Sequence, residues 1–346
     1  MKVIEGYIQR KPIFLEWLHG QLSIDDVGNP TGFSDRFYSS HIDTVKVWLL
    51  TMHAICGDMC LQGVDHLNLA SLRNVSFPLQ FQDCFTLSRL WLPNRFSGCV
   101  PDAKLCWVYS SNLELVDPVK FTCSEWVCVL DGPPSLTLRG KDLSHIRGVD
   151  ASAVSLDVWR EWCAVLHDAP IRYCELPREL SEWEGTPDWS ATLKVLKIPP
   201  NAELFTDDRW YDFCRNVEVL CLRYERRTLV RRTDQDGLRT IPAALMHMQY
   251  LRWLDVSMNP IQQIPEAFHM LHTLETLYLA HTELEEFPSV LLQLTSLKRL
   301  FIRNTNATST RKWLNLLSRQ NTELSIRRVV SQDPITLWEL CLITES

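Results

Sequence analysis

The chain has 346 residues, 46% of them hydrophobic, and a formal net charge of −7. That apolar share suffices for a continuous core, and the acidic balance disfavours wholesale binding of nucleic acid or an anionic membrane while leaving room for a local basic patch. No apolar run reaches the ~18–20 residues that a membrane-spanning helix needs.

In chain order, residues 1 to 40 show no repeat, and Gly28-Asn-Pro-Thr-Gly32 reads as a loop. The opening Met1-Lys-Val-Ile-Glu-Gly-Tyr7 breaks its apolar residues with charge and lacks a signal-peptide core. Ile42, Val45, Leu49, Met52 and Ile55 recur at helical spacing, which predicts an amphipathic helix over 41–56. Such a helix covers the exposed end of a stacked core, so 1–60 reads as an N-terminal cap.

From 61 onward, pairs of leucines two apart recur every 23 residues: Leu67/Leu69, Leu90/Leu92, Leu113/Leu115 and Leu136/Leu138. Each pair predicts a strand, because side chains two apart point to one face. Leu143-x-x-Ile146 reads as a return segment. The phase then breaks near 150–170, where Leu156, Trp159, Cys163 and Leu166 share one face of a predicted helix. Strands are expected again at Ile171-x-Tyr173, Leu193-x-x-Leu196-x-Ile198 and Val217-x-x-Leu220-x-Leu222. An Arg-rich insertion fills 223–237 before Leu238-x-x-Ile241-Pro242-x-x-Leu245 resumes the return pattern.

The clearest stretch follows. Leu251-x-x-Leu254-x-Val256-x-x-Asn259-x-Ile261-x-x-Ile264-Pro265-x-x-Phe268 is repeated from Leu274 (Leu277, Leu279, Thr282, Leu284, Phe287, Pro288, Leu291) and again from Leu297 (Leu300, Ile302, Thr305). The Asn259 amide suits a turn away from the strand, and the prolines stiffen the return. Residues 310–318 read as a helix with Trp313, Leu316 and Leu317 inward, Leu324-x-Ile326 as a last strand, and 329–346 as a C-terminal cap with Trp338 and Leu342.

This pattern resembles the leucine-rich repeat family, in the Leu-Pro-containing intracellular subtype of Ras-binding and junctional scaffold proteins. The resemblance implies an α/β solenoid, a horseshoe of about eleven repeats over 61–328 with a parallel concave sheet and helical caps at both ends. Secreted members close their ends with clustered disulfides. The twelve cysteines here are scattered with no Cys-x-x-Cys, so they read as buried free thiols in a cytoplasmic or other intracellular protein. His53, Cys56 and Cys60 have the wrong spacing for a structural zinc.

No catalytic constellation is present: the sequence has no phosphate-cradling Gly-rich loop, Gly-x-Ser-x-Gly elbow or His-Glu-x-x-His helix. No enzyme, cofactor or metal is therefore expected. The expectation is instead a scaffold that binds a protein through the inner face of its sheet. The residues assigned to that face are Trp253, Asp255, Tyr278, His281, Arg299, Phe301 and Arg303, joined by Arg223, Arg226 and Arg227 of the insertion and by Trp91 further up. Asn112 and Glu114 are placed on the same face. Aromatic and Arg side chains are the types that dominate interface energetics. The expected partner is a subunit of a multi-protein assembly or a small GTPase; the alternative roles are a small-GTPase pathway regulator, a substrate receptor of a ubiquitin ligase, and an RNA–protein particle subunit that binds RNA through the Arg loop and nearby aromatics.

Overall fold

Two leucines one repeat apart stack only if the chain between them closes one full turn of the solenoid. In the computed structural model Leu254, Leu277 and their neighbours do stack, in a buried row. The structure describes residues 2–8, 11–18, 21–24, 66–68, 75–77, 87–92, 96–98, 103–113, 125–138, 142–180, 187–206, 209–224, 237–284, 288–302 and 325–328. The expected helices at 41–56 and 310–318, the C-terminal cap, the zinc candidates and most of the Arg-rich insertion lie outside these residues. The chain divides into two units, Met1–Val149 and Asp150–Ser346.

The first unit opens with an antiparallel meander, β1 (Lys2–Ile8), β2 (Lys11–Leu18) and β3 (Gln21–Ile24), which the repeat period did not anticipate. Then come β4 (His66–Asn68), β5 (Val75–Phe77), β6 (Leu87–Trp91), β7 (Phe96–Gly98), β8 (Ala103–Tyr109), β9 (Glu125–Val129) and β10 (Ile146–Asp150), the last reaching the division. β4, β6, β8 and β9 pair in parallel with Leu67, Leu90, Cys106 and Trp126 in register; β5 and β7 form a small parallel pair of their own.

Two expected strands are therefore displaced. Leu113 follows a 3-10 turn, Ser110–Asn112, and Leu136–Leu138 is itself a 3-10 turn with Leu136 77% exposed. Asn112 is buried in its turn rather than presented on a strand. Ile146 opens a strand instead of closing a return segment. The cause is chemical: the core positions of β8 and β9 belong to Cys106 and Trp126, both buried. Cysteine packs as a small hydrophobe and tryptophan as a very large one. A ruler of leucines passes over both.

In the second unit the ruler holds from Leu254 to Leu300. Helix α1 (Leu156–Val165) starts at Ser155, whose Oγ accepts from the Val158 N–H, and buries Trp159, Trp162 and Cys163. It is followed by β11 (Tyr173–Glu175), β12 (Val195–Lys197), the short helix α2 (Arg209–Cys214), β13 (Val219–Cys221), β14 (Trp253–Asp255), β15 (Thr276–Tyr278), β16 (Arg299–Ile302) and β17 (Ser325–Arg328). Strands β11 to β17 pair in parallel in chain order, with Cys174, Leu196, Leu220, Leu254, Leu277, Leu300 and Ile326 in one register row. Each buried leucine of that row contributes about 2 kcal/mol. Pro242, Pro265 and Pro288 lead into the outer 3-10 turns Ala243–His247, Glu266–Met270 and Ser289–Gln293. Parallel strands, one per repeat, with proline-led outer turns make the fold a leucine-rich repeat solenoid.

Asn259 ties the repeats together. Its Nδ2 donates to the carbonyls of Leu222 (2.8 Å), Val256 (3.0 Å) and Ser257 (3.2 Å), and its Oδ1 accepts from the Leu238 N–H at 3.0 Å. Gly237 passes directly above, with φ at +86°; a Cβ there would meet Asn259 Oδ1 and Pro260 at 3.0 Å. Among the described residues the cysteines are Cys106, Cys128, Cys163, Cys174, Cys214 and Cys221, all free and buried. Burial pushes Cys163 up to about 12 and raises Cys174 and Cys214 as well, so these thiols are poor nucleophiles.

Candidate interaction face on the second unit

Residues alternating with the buried row point away from the core. The register sets Trp253 beside Thr276 and Thr276 beside Arg299, while Asp255, Tyr278 and Phe301 form the next line. The three aromatic rings nevertheless meet. Tyr278 and Phe301 stack at 4.0 Å between centroids and 6° between planes, and the Trp253 ring leans diagonally to within 5.1 Å of Tyr278. Diagonal contacts of this kind lie within reach of aromatic side chains. Tyr278 and Phe301 are half-buried, whereas Trp253 is only 4% exposed. The exposed Arg299 is held beside them by its Nε, which donates to Thr276 Oγ1 at 3.0 Å.

A line of alternating charge runs along the N-terminal ends of the same strands. Arg252 meets Glu275 at 2.9 Å and Lys298 meets the same carboxylate at 3.0 Å; Lys194 pairs with Glu218 at 2.8 Å. Partial burial works against the Glu275 charge, but the hydrogen bonds from Lys298 and Arg252 outweigh it and hold the carboxyl below its ordinary range.

The line that leads to Tyr278 and Phe301 begins in buried polar residues on β11, β12 and β14. Lys197 and Glu175 pair at 2.9 Å with both side chains nearly covered. Asp255 is 0% exposed, its Oδ1 accepting the Ser257 N–H at 2.7 Å, and among the described residues neither its Oδ2 nor Ser257 Oγ has a hydrogen-bond partner. Burial raises the Asp255 carboxyl, against the pull of the Ser257 N–H and the fields of Arg223 and Lys197. A folded-state value above the unfolded one stabilises below the unfolded pKa, and that contribution is lost as pH rises through the folded value. Asp255→Asn, which keeps the acceptor for Ser257, is therefore expected to gain stability relative to the parent as pH rises above the ordinary carboxylate range. Urea midpoints of the two proteins compared between pH 4 and 8 check this; a constant difference refutes it.

Of the residues singled out in the sequence, Trp253, Tyr278, Phe301 and Arg299 come together. Arg223 is buried, since strand pairing continues past β13: Leu222 N–H donates to Asp255 and Tyr224 N–H to Ser257. Its charge acts on the Asp255 carboxyl. His281 sits at the turn after β15 in left-handed backbone, φ 58°, as Met258 does one repeat earlier at 67°. Trp91 belongs to the first unit, where it stacks on Trp107 at 5.9 Å. Arg226, Arg227 and Arg303 lie outside the described residues. Sequence reasoning did not foresee the Glu175–Lys197 pair. The rim was readable, because Arg252, Glu275 and Lys298 share the 23-residue interval.

Among the described residues no helix is long and apolar enough to cross a membrane, and no group of His, Cys, Asp or Glu is arranged to hold a metal ion. No family model matches the sequence, and no curated protein does. Several solved structures of leucine-rich repeat proteins are similar. A complex of TLR13 with ssRNA13 shares 17% identity over 70% of this chain, with a TM-score of 0.41. A Leptospira interrogans LRR protein shares 12% over 77% (TM-score 0.32), and an octameric complex of Latrophilin 3, Unc5D and FLRT2 (LRR) shares 15% over 67% (TM-score 0.33). The chain spans 41% of the length of the TLR13 chain, 96% of the Leptospira chain and 85% of the one in the octameric complex.

Proposed function

We propose that this chain is a non-catalytic scaffold that holds a protein partner on the face formed by β14, β15 and β16, as a subunit of a larger assembly. The observation that carries the reading is the Trp253–Tyr278–Phe301 run with Arg299 anchored at its edge. Half-buried aromatic rings on a rigid sheet lose little side-chain freedom when a partner covers them, and truncating such central anchors costs about 2 kcal/mol or more. A small GTPase is the narrower candidate within this reading, in keeping with the Ile-Pro and Phe-Pro return segments.

Affinity purification of the full chain against its Tyr278→Ala/Phe301→Ala variant tests the proposal. Loss of specific co-purifying proteins, at unchanged thermal midpoint, supports it. An identical set of partners rejects the face. Nuclease treatment separates a protein partner from one bridged by RNA.

A further inference from the structure

The exposed charges around the aromatic pair carry a sign of their own. Arg252, Lys298 and Arg299 are exposed, and the half-buried carboxylate beside them, Glu275, pairs with only Arg252 and Lys298. The surplus is positive in a chain whose overall charge is −7. Arg299 is also preorganised: the buried Thr276 hydroxyl holds its Nε, and its two terminal nitrogens have no partner among the described residues. A guanidinium fixed in that manner matches a carboxylate's paired oxygens. Next to it the stacked Tyr278–Phe301 rings leave apolar surface half-exposed.

We infer that the partner presents an acidic segment carrying an aromatic side chain, its ring seated on the Tyr278–Phe301 pair and its carboxylates facing Arg299 and the Arg252–Lys298 rim. This rests on the reading of the face given above and adds the chemistry of the occupant. A purely acidic strand leaves the rings uncovered, and an aromatic without charge leaves the surplus unanswered. A nucleic acid stacks on the rings too, but its evenly spaced phosphates pass the Glu275 carboxylate at 3.0 Å from Lys298, where a peptide can place a neutral residue. Such charges orient and accelerate encounter more than they add affinity, and they are screened by salt.

The test uses the full chain and labelled polymers: poly(Glu,Tyr), poly(Glu), poly(Lys) and poly(U), followed by fluorescence anisotropy. The expected result is binding of poly(Glu,Tyr) about tenfold tighter than poly(Glu), weakening as salt is raised. Arg299→Glu should abolish most of that binding and Arg299→Gln should weaken it less, both at unchanged thermal midpoint. Equal affinity for poly(Glu) and poly(Glu,Tyr), preference for poly(Lys) or poly(U), or indifference to both Arg299 variants overturns the inference. If Tyr278→Ala/Phe301→Ala strips the co-purified partners while Arg299→Glu and Arg299→Gln keep them, the inference fails and the binding face stands. If the double variant keeps every partner, the face fails with it.

Discussion

Asn259→Ala is expected to destabilise the second unit by about 4 kcal/mol, because the lost amide strands several buried backbone groups at once. Its Nδ2 and Oδ1 serve three carbonyls and the Leu238 N–H, joining the end of β13, the return segment that precedes β14 and the turn after β14. Asn259 itself is 0% exposed, so water does not replace these bonds without opening the repeat. The equivalent position one repeat later is Thr282, whose hydroxyl donates only to the Leu279 carbonyl at 3.0 Å. Thr282→Val should therefore cost only about 1 kcal/mol. Urea unfolding of both variants measures the ratio. Equal small losses would show that the Asn259 bonds are dispensable. Asn259→Asp provides the finer control, keeping the acceptor for Leu238 while removing every donor.

The second large effect concerns Glu175 and Lys197. Removing one member of a buried ion pair leaves the other charge in a medium that cannot solvate it, whereas removing both replaces a costly desolvation with packing. Glu175→Ala is accordingly expected to cost about 3 kcal/mol, the low end of such losses, since the Asp255 carboxylate's field also reaches Lys197. The double variant Glu175→Leu/Lys197→Met should recover most of that loss. A double variant as unstable as Glu175→Ala would mean that the pair does more than neutralise itself. Circular-dichroism melts with urea titration at neutral pH distinguish the outcomes.

Legibility varied along the chain for a physical reason. From β12 to β16 the core positions in register are leucine, and from β14 to β16 they recur every 23 residues, so those strands can be read from spacing alone, and the ring run Trp253, Tyr278, Phe301 follows from the same pattern. In the first unit, Cys106 and Trp126 hold the equivalent positions on strands joined by shorter steps. A leucine pair such as Leu136/Leu138 then fits the period by coincidence and ends up in an outer turn. The meander β1–β3 pairs locally and antiparallel, so no long period marks it.

What the sequence by itself determined is the stacking of Leu254, Leu277 and Leu300: a 23-residue step returns each leucine above the last, and alternation assigns every intervening side chain to a face. Tertiary structure alone decided which of those side chains remain accessible. Trp253 and Asp255 alternate correctly yet are buried, Arg223 is buried as well, and Tyr278, Phe301 and Arg299 stay partly or fully exposed. Exposure depends on atoms contributed by strands a repeat or more away, and no local pattern in the chain encodes that sum.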